Sequence, residues 1–477
     1  MITDNVVTRA PSPGAQRLLV PVFIAIELFA GLVQGWIMPL LGEIGDFHAV
    51  PGGSVSWILT IGMLSSAVSV PFLSMLADRF GRRRLLIAAV LLTGAGSLLI
   101  ALAPTFPMVI LGAAIQGPIA ALLPIEMGLL KELRPATAQR TVSFLIGSLT
   151  LGVAAGSYLG GSLLEATGDL IITQVVPALP FLVLAALLLV CVPRGAGDQG
   201  RSVDWTGAVL LSIGLSALMY GLSTGTTAGW LSPVPLGSLL LGVLALAAFL
   251  VVEARAEAPL FNLPVLRRVK LGLPLVLGLL IALTAFGLST PTTLFLTAQA
   301  SELGYGVGLS AGVAGAIVSI VFLASTLGAF LAPALVRLLS PAVTVAVACA
   351  VAGAALLPLL FAPASPALVT AVLAINSLTA WIALSVLPGI VVDRAPLSEA
   401  ATVSGLYNSG RSLGGSLAGA FVATVMSVLV ISSGPGAGNG EPSFAAFQTV
   451  WAVFAGVLFL SAVLALFLRR QPTPVSA

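Results

Sequence analysis

Glu27 interrupts an otherwise apolar run spanning 18–41, where a carboxyl group has no water at hand. An ionisable side chain at such depth costs about 2.5–3.5 kcal/mol on insertion scales, so it is kept for a reason. At helical spacing Glu27 shares a face with Gly31, Gln34 and Met38, a set polar and small enough to line a water-filled cavity. Desolvation disfavours the charged carboxylate, so Glu27 is a candidate proton carrier, or a partner for a cationic cargo when ionised. The competing reading is a permanently neutral Glu27 making one structural hydrogen bond. Glu126, in the run 107–130, is the second such group, about 6 Å from one end of its helix at 1.5 Å per residue. Pairing with Arg140 or Arg411 is its alternative role. Gln116 precedes Glu126 in the same run and would point about 100° away on a regular helix, which argues against one shared site.

Neutral candidates for a cavity are Gln34 and Trp36 in run one, Gln116 in run four, Tyr220 in run seven, Asn376 and Trp381 in run twelve, and Tyr407 and Asn408 in run thirteen. Packing or an interhelical hydrogen bond competes for each of them. Arg411 precedes an uninterrupted apolar stretch, 413–431, which suits a gate or an anchor at the membrane interface. Trp57 and Trp451 suit interfacial anchors. A cavity of amides, aromatics and one acid fits amphipathic or cationic organic molecules, and no cluster of buried arginines offers itself to a sugar phosphate. With one histidine (His48) and two cysteines (Cys191 and Cys349) inside separate runs, no metal site, cofactor or external disulfide is expected.

The elements that must position these groups are legible from charge. Apolar residues make up 58% of the 477 and charged ones 8%, too little polar surface for a water-soluble core. All 20 lysines and arginines fall at alternate gaps between the apolar runs, from Arg9 and Arg17 to Arg469 and Arg470. The intervening gaps hold acids: Glu43, Asp46, Glu165, Asp169, Glu302 and Glu441. Positive charge is retained in cytoplasmic loops. The expectation is an all-α integral membrane protein of fourteen transmembrane helices, in the cell (inner or plasma) membrane, with both termini cytoplasmic. The net charge of +3 then reflects topology anchors and implies no nucleic acid. The start, Met1 to Arg17, lacks a small-residue cleavage site and is expected to be a tail, not a signal peptide.

Polar stretches at 194–204 and 253–270 divide the runs into six, two and six. The expected organisation is a tail (1–17), a six-helix bundle (18–193), a linker with two extra central helices (194–270), a second six-helix bundle (271–468) and a tail (469–477). Small residues recur at four-residue spacing in run five (Ser148, Gly152, Gly156, Gly160, with Gly161 beside them) and in run thirteen (Gly410, Gly414, Ala418, with Gly415 and Gly419). Such strips let a partner helix approach closely, and equivalent strips in both halves suggest pseudo-symmetric bundles that move against each other.

The sharpest local pattern follows run two: Ser74-Met-Leu-Ala-Asp78-Arg79-Phe-Gly81-Arg82-Arg83-Arg84. Gly81 permits a tight reversal, and a generic basic anchor would not need this order. The stretch resembles the loop between helices two and three of the major facilitator superfamily, specifically the fourteen-helix drug:proton antiporters, whose pattern is Gly-x-Leu-Ala-Asp-Arg-x-Gly-Arg-Lys/Arg. Ser74 replaces the first glycine. Trp57, Asp204-Trp205-x-Gly207, and the Gly405, Asn408, Arg411 and Gly414 series are similar to that family too. The resemblance implies a cytoplasmic gate of Asp78, Arg79, Gly81 and Arg82, joined by Glu132. In the second half Ala332 stands where an aspartate would be. Two further departures stand out. Ala113 occupies the place of the helix-four arginine associated with proton coupling, and Ser157 replaces the proline of the helix-five antiporter pattern, leaving Gly152, Gly156, Ser157, Gly160 and Gly161.

Together these features lead to the expectation of a monomeric secondary transporter, not an enzyme. It would export hydrophobic, amphipathic or cationic small molecules (drugs or natural products) by proton antiport, with the lipid bilayer, protons and the cargo as its partners. An importer or uncoupled facilitator is the alternative. A membrane transferase would need paired acids, and Asp393 and Glu399 are six apart. A channel would need a re-entrant filter.

Overall fold

The computed structural model describes residues 13–50, 52–193, 204–255, 270–299, 304–309, 311–361, 365–429 and 442–468. Expectations that rest on Arg9, Arg194, Arg201, Arg267, Arg268, Glu302, Glu441, Arg469 and Arg470, or on the side chain of Arg17, lie outside these residues. Every element is a helix: α1 (Pro13–Phe47), α2 (Gly52–Phe80), α3 (Arg82–Leu102), α4 (Phe106–Gln116), α5 (Leu122–Leu133), α6 (Ala138–Thr167), α7 (Leu170–Val175), α8 (Pro180–Cys191), α9 (Trp205–Ala228), α10 (Pro233–Arg255), α11 (Gly272–Gly287), α12 (Ser289–Thr297), α13 (Ala311–Leu339), α14 (Pro341–Leu356), α15 (Pro366–Arg394), α16 (Ala400–Val428) and α17 (Phe444–Ala465), with short 3₁₀ turns between some of them. The chain is an all-α, multi-pass membrane protein. Twelve segments among the described residues are long and apolar enough to cross a membrane, and α11 is a shorter apolar helix. Fourteen crossings are therefore a reading of the charge pattern. Run nine is broken at Leu288 into α11 and α12. α16, which carries run thirteen, is not among the twelve, since Asn408, Arg411 and its glycines and serines dilute the apolar sequence.

The chain forms two compact units, Met1–Val269 with Val392–Ser409, and Lys270–Val391 with Gly410–Ala477. In the first, α1 and α6 make the most extensive helix pair. Their glycines explain it: a Cβ on Gly31 would lie 1.9 Å from Leu149 O, and one on Gly152 or Gly156 would lie 2.0 Å from Leu28 O or Leu32 O. The two backbones thus touch, which no side chain would permit. α9 and α10 form a hairpin laid on α2, where Trp57 meets Tyr220 and Phe72 meets Trp205 at ring separations of 6.2 and 5.8 Å. Asp204 caps α9 by accepting the Gly207 N–H at 2.8 Å, which gives that motif a structural reason.

In the second unit the strip on α16 is only partly used. A Cβ on Gly414 would lie 2.4 Å from Leu279 O, but Gly410 and Gly419 meet nothing within 4 Å. The core here is aromatic, built on Phe295, Tyr305, Phe447, Trp451 and Phe454. Trp451 is 1% exposed within it, which corrects its expected place at the interface. Trp57 is 42% exposed.

The reversals after α2 and α13 correspond but are not equally comfortable. Gly81 has φ 101°, where glycine is at ease. Ser340 has φ 75° and ψ 156°, a region essentially reserved for glycine.

Candidate functional site

Two arrangements in the first unit gather the ionisable groups. One is centred on Arg82, which the reversal at Gly81 places beside Asp78. Its Nε donates to Asp78 Oδ1 at 2.8 Å and its Nη1 to Glu132 Oε2 at 2.9 Å and to Gly128 O at 3.2 Å. Its Nη2 donates to Leu397 O. Asp78 Oδ2 accepts both the N–H and the hydroxyl of Thr402, at 2.8 and 2.7 Å, across 324 positions of sequence. These bonds fasten the start of α16 to α2 and α3. Gly128 must stay small, since a Cβ there would lie 2.8 Å from Arg82 Nε. Ser74, in place of the family glycine, is fully buried, and its Oγ lies 2.5 Å from where a Cβ on Gly405 would be. Of the expected gate residues, Asp78, Gly81, Arg82 and Glu132 come together. Arg79 does not, and its guanidinium lies 5.0 Å over the ring of Phe80. Lys131 was missed by sequence reasoning. Its Nζ donates to the carbonyls of Val392, Asp393 and Ala395 at the end of α15. A lysine against the orphan carbonyls of a helix terminus was the available signal.

The second arrangement depends on a break in run four. α4 ends at Gln116, a 3₁₀ turn spans Gly117–Ala121, and α5 resumes at Leu122. The cause is in the sequence: Pro118 and Pro124 carry no N–H for the carbonyls four residues earlier. In a bilayer such carbonyls need donors from elsewhere. Ser65 Oγ donates to Ala114 O, and Asn408 Nδ2 donates to Ala120 O at 3.0 Å. α1 repeats the device. Pro39 leaves Gly35 O without its helical donor, and the hydroxyl of Ser157 lies 3.3 Å from it and 3.0 Å from Val153 O. The serine that replaces a family proline therefore serves a neighbour's backbone.

Beyond the break, α5 delivers Glu126 to α1, where its carboxyl lies close to that of Glu27. The two are 0% and 2% exposed. Arg140, one of the two alternative partners of Glu126, makes no bond to it. Among the described residues, no N–H or hydroxyl donor reaches the oxygens of Glu126. A hydrogen bond between two carboxyl groups requires that one of them keep its proton. Two carboxylates in contact away from water cannot both ionise cheaply.

The angular argument that separated Gln116 from Glu126 fails for a physical reason. Five residues at about 120° rather than 100° each add about 100° of rotation. Gln116 is nevertheless engaged elsewhere, donating to Ser97 Oγ at 2.7 Å. The expected polar face of α1 is also split. Gly31 is pressed against α6, while Gln34 and Met38 are exposed. Trp36 is buried and donates to Thr173 O at 3.1 Å, and Asn376 donates to Ala352 O at 2.9 Å. Trp381 packs edge-on against Phe286, Tyr407 is buried, and Arg411 is half-buried. Packing and interhelical bonding thus claim Trp36, Asn376 and Trp381.

Residues 23–419 match the model of one family, described as the Major Facilitator Superfamily. The chain belongs to that superfamily. It is accordingly a membrane transporter rather than an enzyme. Over 359 residues it is 29% identical to the uncharacterized MFS-type transporter YfiU of Bacillus subtilis, covering 72% of this chain and 67% of the relative. Over 244 residues it is 31% identical to the tetracenomycin C resistance and export protein of Streptomyces glaucescens, covering 51% of this chain and 45% of that one. Its fold is similar to the crystal structure of the human organic anion transporter MFSD10 (TETRAN), with a TM-score of 0.67 over 94% of this chain and 99% of that one at 16% identity. This last likeness speaks for the fold alone.

Proposed function

We propose that this major facilitator is a monomeric, proton-coupled exporter of hydrophobic, amphipathic or cationic small molecules, working by alternating access from the cytoplasmic side of the cell membrane. The observation that carries the reading is the proximity of Glu126 to Glu27 at two buried positions. The proton between the two carboxyls is the exchangeable one. A conformation that parts α1 from α5, or lets water or a cation in, stabilises the second carboxylate and releases that proton. The Arg82 network acts as the cytoplasmic gate, since Asp78 and Thr402 must separate for the start of α16 to move. Relatives named for antibiotic export support the direction of transport.

Ala113 favours a second reading, an uncoupled facilitator. It is 2% exposed where the resemblance places a coupling arginine, so no charge stands there. One experiment separates the two. Inside-out proteoliposomes with an acidic interior are offered ethidium or tetracenomycin C. The exporter concentrates cargo inside while the pH difference lasts. A facilitator equilibrates the cargo and never concentrates it.

A further inference from the structure

Several carbonyls in the first unit lie four residues before a proline and are met by a side chain from elsewhere in the fold, among them Ala114, Gly35, Thr173, Leu189, Val392 and Ala120. Two of these bonds fall within helix pairs that already pack closely: Ser65 of α2 on Ala114, and Ser157 of α6 on Gly35. The bond to Ala120 spans more of the sequence than any of the others. Asn408 lies at the end of Val392–Ser409, the short piece of the later sequence that joins the first unit, and it reaches across 288 positions to Ala120 O. Asn408 is 6% exposed, and Pro124 and the residues around it in α5 are buried. The same α5 carries Glu126 two residues beyond Pro124.

We propose that Asn408 is a positioning residue of the gate, acting on the helix that holds the carboxyl pair. Its amide occupies the gap that Pro124 opens and so ties the start of α16 to the segment carrying Glu126. The Arg82 network fastens α16 at Thr402, and the Asn408 bond fastens it again six residues further on. Opening must break both. Breaking the second exposes a carbonyl that Pro124 deprives of its α-helical donor, so opening is disfavoured until water or cargo can reach Ala120 O. Asn408 thereby makes gate opening depend on an occupant beside the carboxyl pair. This inference rests on the transport cycle proposed above.

The test is a double-mutant cycle. Asn408→Leu removes the donor, and Pro124→Ala restores an N–H to the helix at the position that reaches Ala120 O. Gate opening is read by maleimide labelling of Ser404→Cys, a near-isosteric change at a fully buried position, with labelling of the native Cys191 and Cys349 subtracted. Initial rates of ethidium transport in proteoliposomes give kcat and KM in parallel. Leaving a buried carbonyl without its donor gives about a tenfold change. We expect Asn408→Leu to raise the labelling rate about tenfold and to act on kcat rather than KM. In the Pro124→Ala background the same substitution should change either quantity less than twofold. An equal effect in both backgrounds, or an effect confined to KM with labelling unchanged, overturns the proposal and makes Asn408 a cargo contact or a packing residue. Labelling needs no cargo, so a failed cycle is distinguishable from failure of the export reading.

Discussion

In the proposed cycle Glu27 and Glu126 share a proton, and the choice of substitution can separate that bond from its chemistry. Glutamine at either position supplies a permanent N–H donor to the remaining carboxyl. Glu27→Gln and Glu126→Gln should therefore keep thermal stability within about 1 kcal/mol of the original while abolishing the pH dependence of transport. Thermal unfolding and transport rates between pH 5.5 and 8.5 check both halves of that expectation. His48 provides the control, since it is the chain's one histidine and lies beyond α1 against Phe47 and Phe106. Burial holds its imidazole below the usual histidine value. Protonation is then easier in the unfolded chain. His48 leaves stability unchanged well above pH about 6.5 and lowers it as the pH falls through that value. His48→Phe should remove this acid-side loss of Tm and leave the pH profile of transport where it was. A transport profile that shifts with His48→Phe would place the titrating group in the wrong residue.

At the scale of elements, the α1–α6 pair and the two reversals make opposite predictions about small residues. Adding a methyl at Gly152 drives it to 2.0 Å from Leu28 O, and neither backbone can yield without parting the helices. Gly152→Ala should lower the yield of folded protein severely, whereas Gly62→Ala, which meets nothing within 4 Å, should not. Size-exclusion profiles of the two variants show the contrast. Ser340 strains its turn, and relief of such strain amounts to about 1–3 kcal/mol. Ser340→Gly should raise Tm, and a lower Tm would mean that its hydroxyl matters more than its backbone. The sequence pattern conveyed the local features well. Asp78 and Arg82 are four apart on adjoining helices, and Gly81 between them admits one kind of turn. The carboxyl pair was not legible, because it joins different helices and depends on a rotation that the 3₁₀ turn adds. Pro118 and Pro124 were in plain view as breakers, but the donors that answer them, Ser65 and Asn408, are fixed only by packing.

On the scale of the whole molecule, charge and hydropathy conveyed the class and the membrane, since a chain that crosses a bilayer repeatedly leaves its 20 basic residues at alternate gaps. They did not convey how the pieces are shared out. α9 lies against α2 through Trp57–Tyr220 and Phe72–Trp205, a matter of surface shape, with α10 packed on α9, and Val392–Ser409 joins the first unit through side-chain bonds to Asp78, Arg82 and Lys131. In the proposed cycle the carboxyl pair is where proton and cargo exchange. The most direct measurement is proton release from the purified protein in weakly buffered detergent, followed by a pH-indicator dye on addition of ethidium. Release from the unsubstituted protein that disappears in both Glu27→Gln and Glu126→Gln is the predicted result. Equal release from all three proteins would contradict the assignment of the exchangeable proton to this pair.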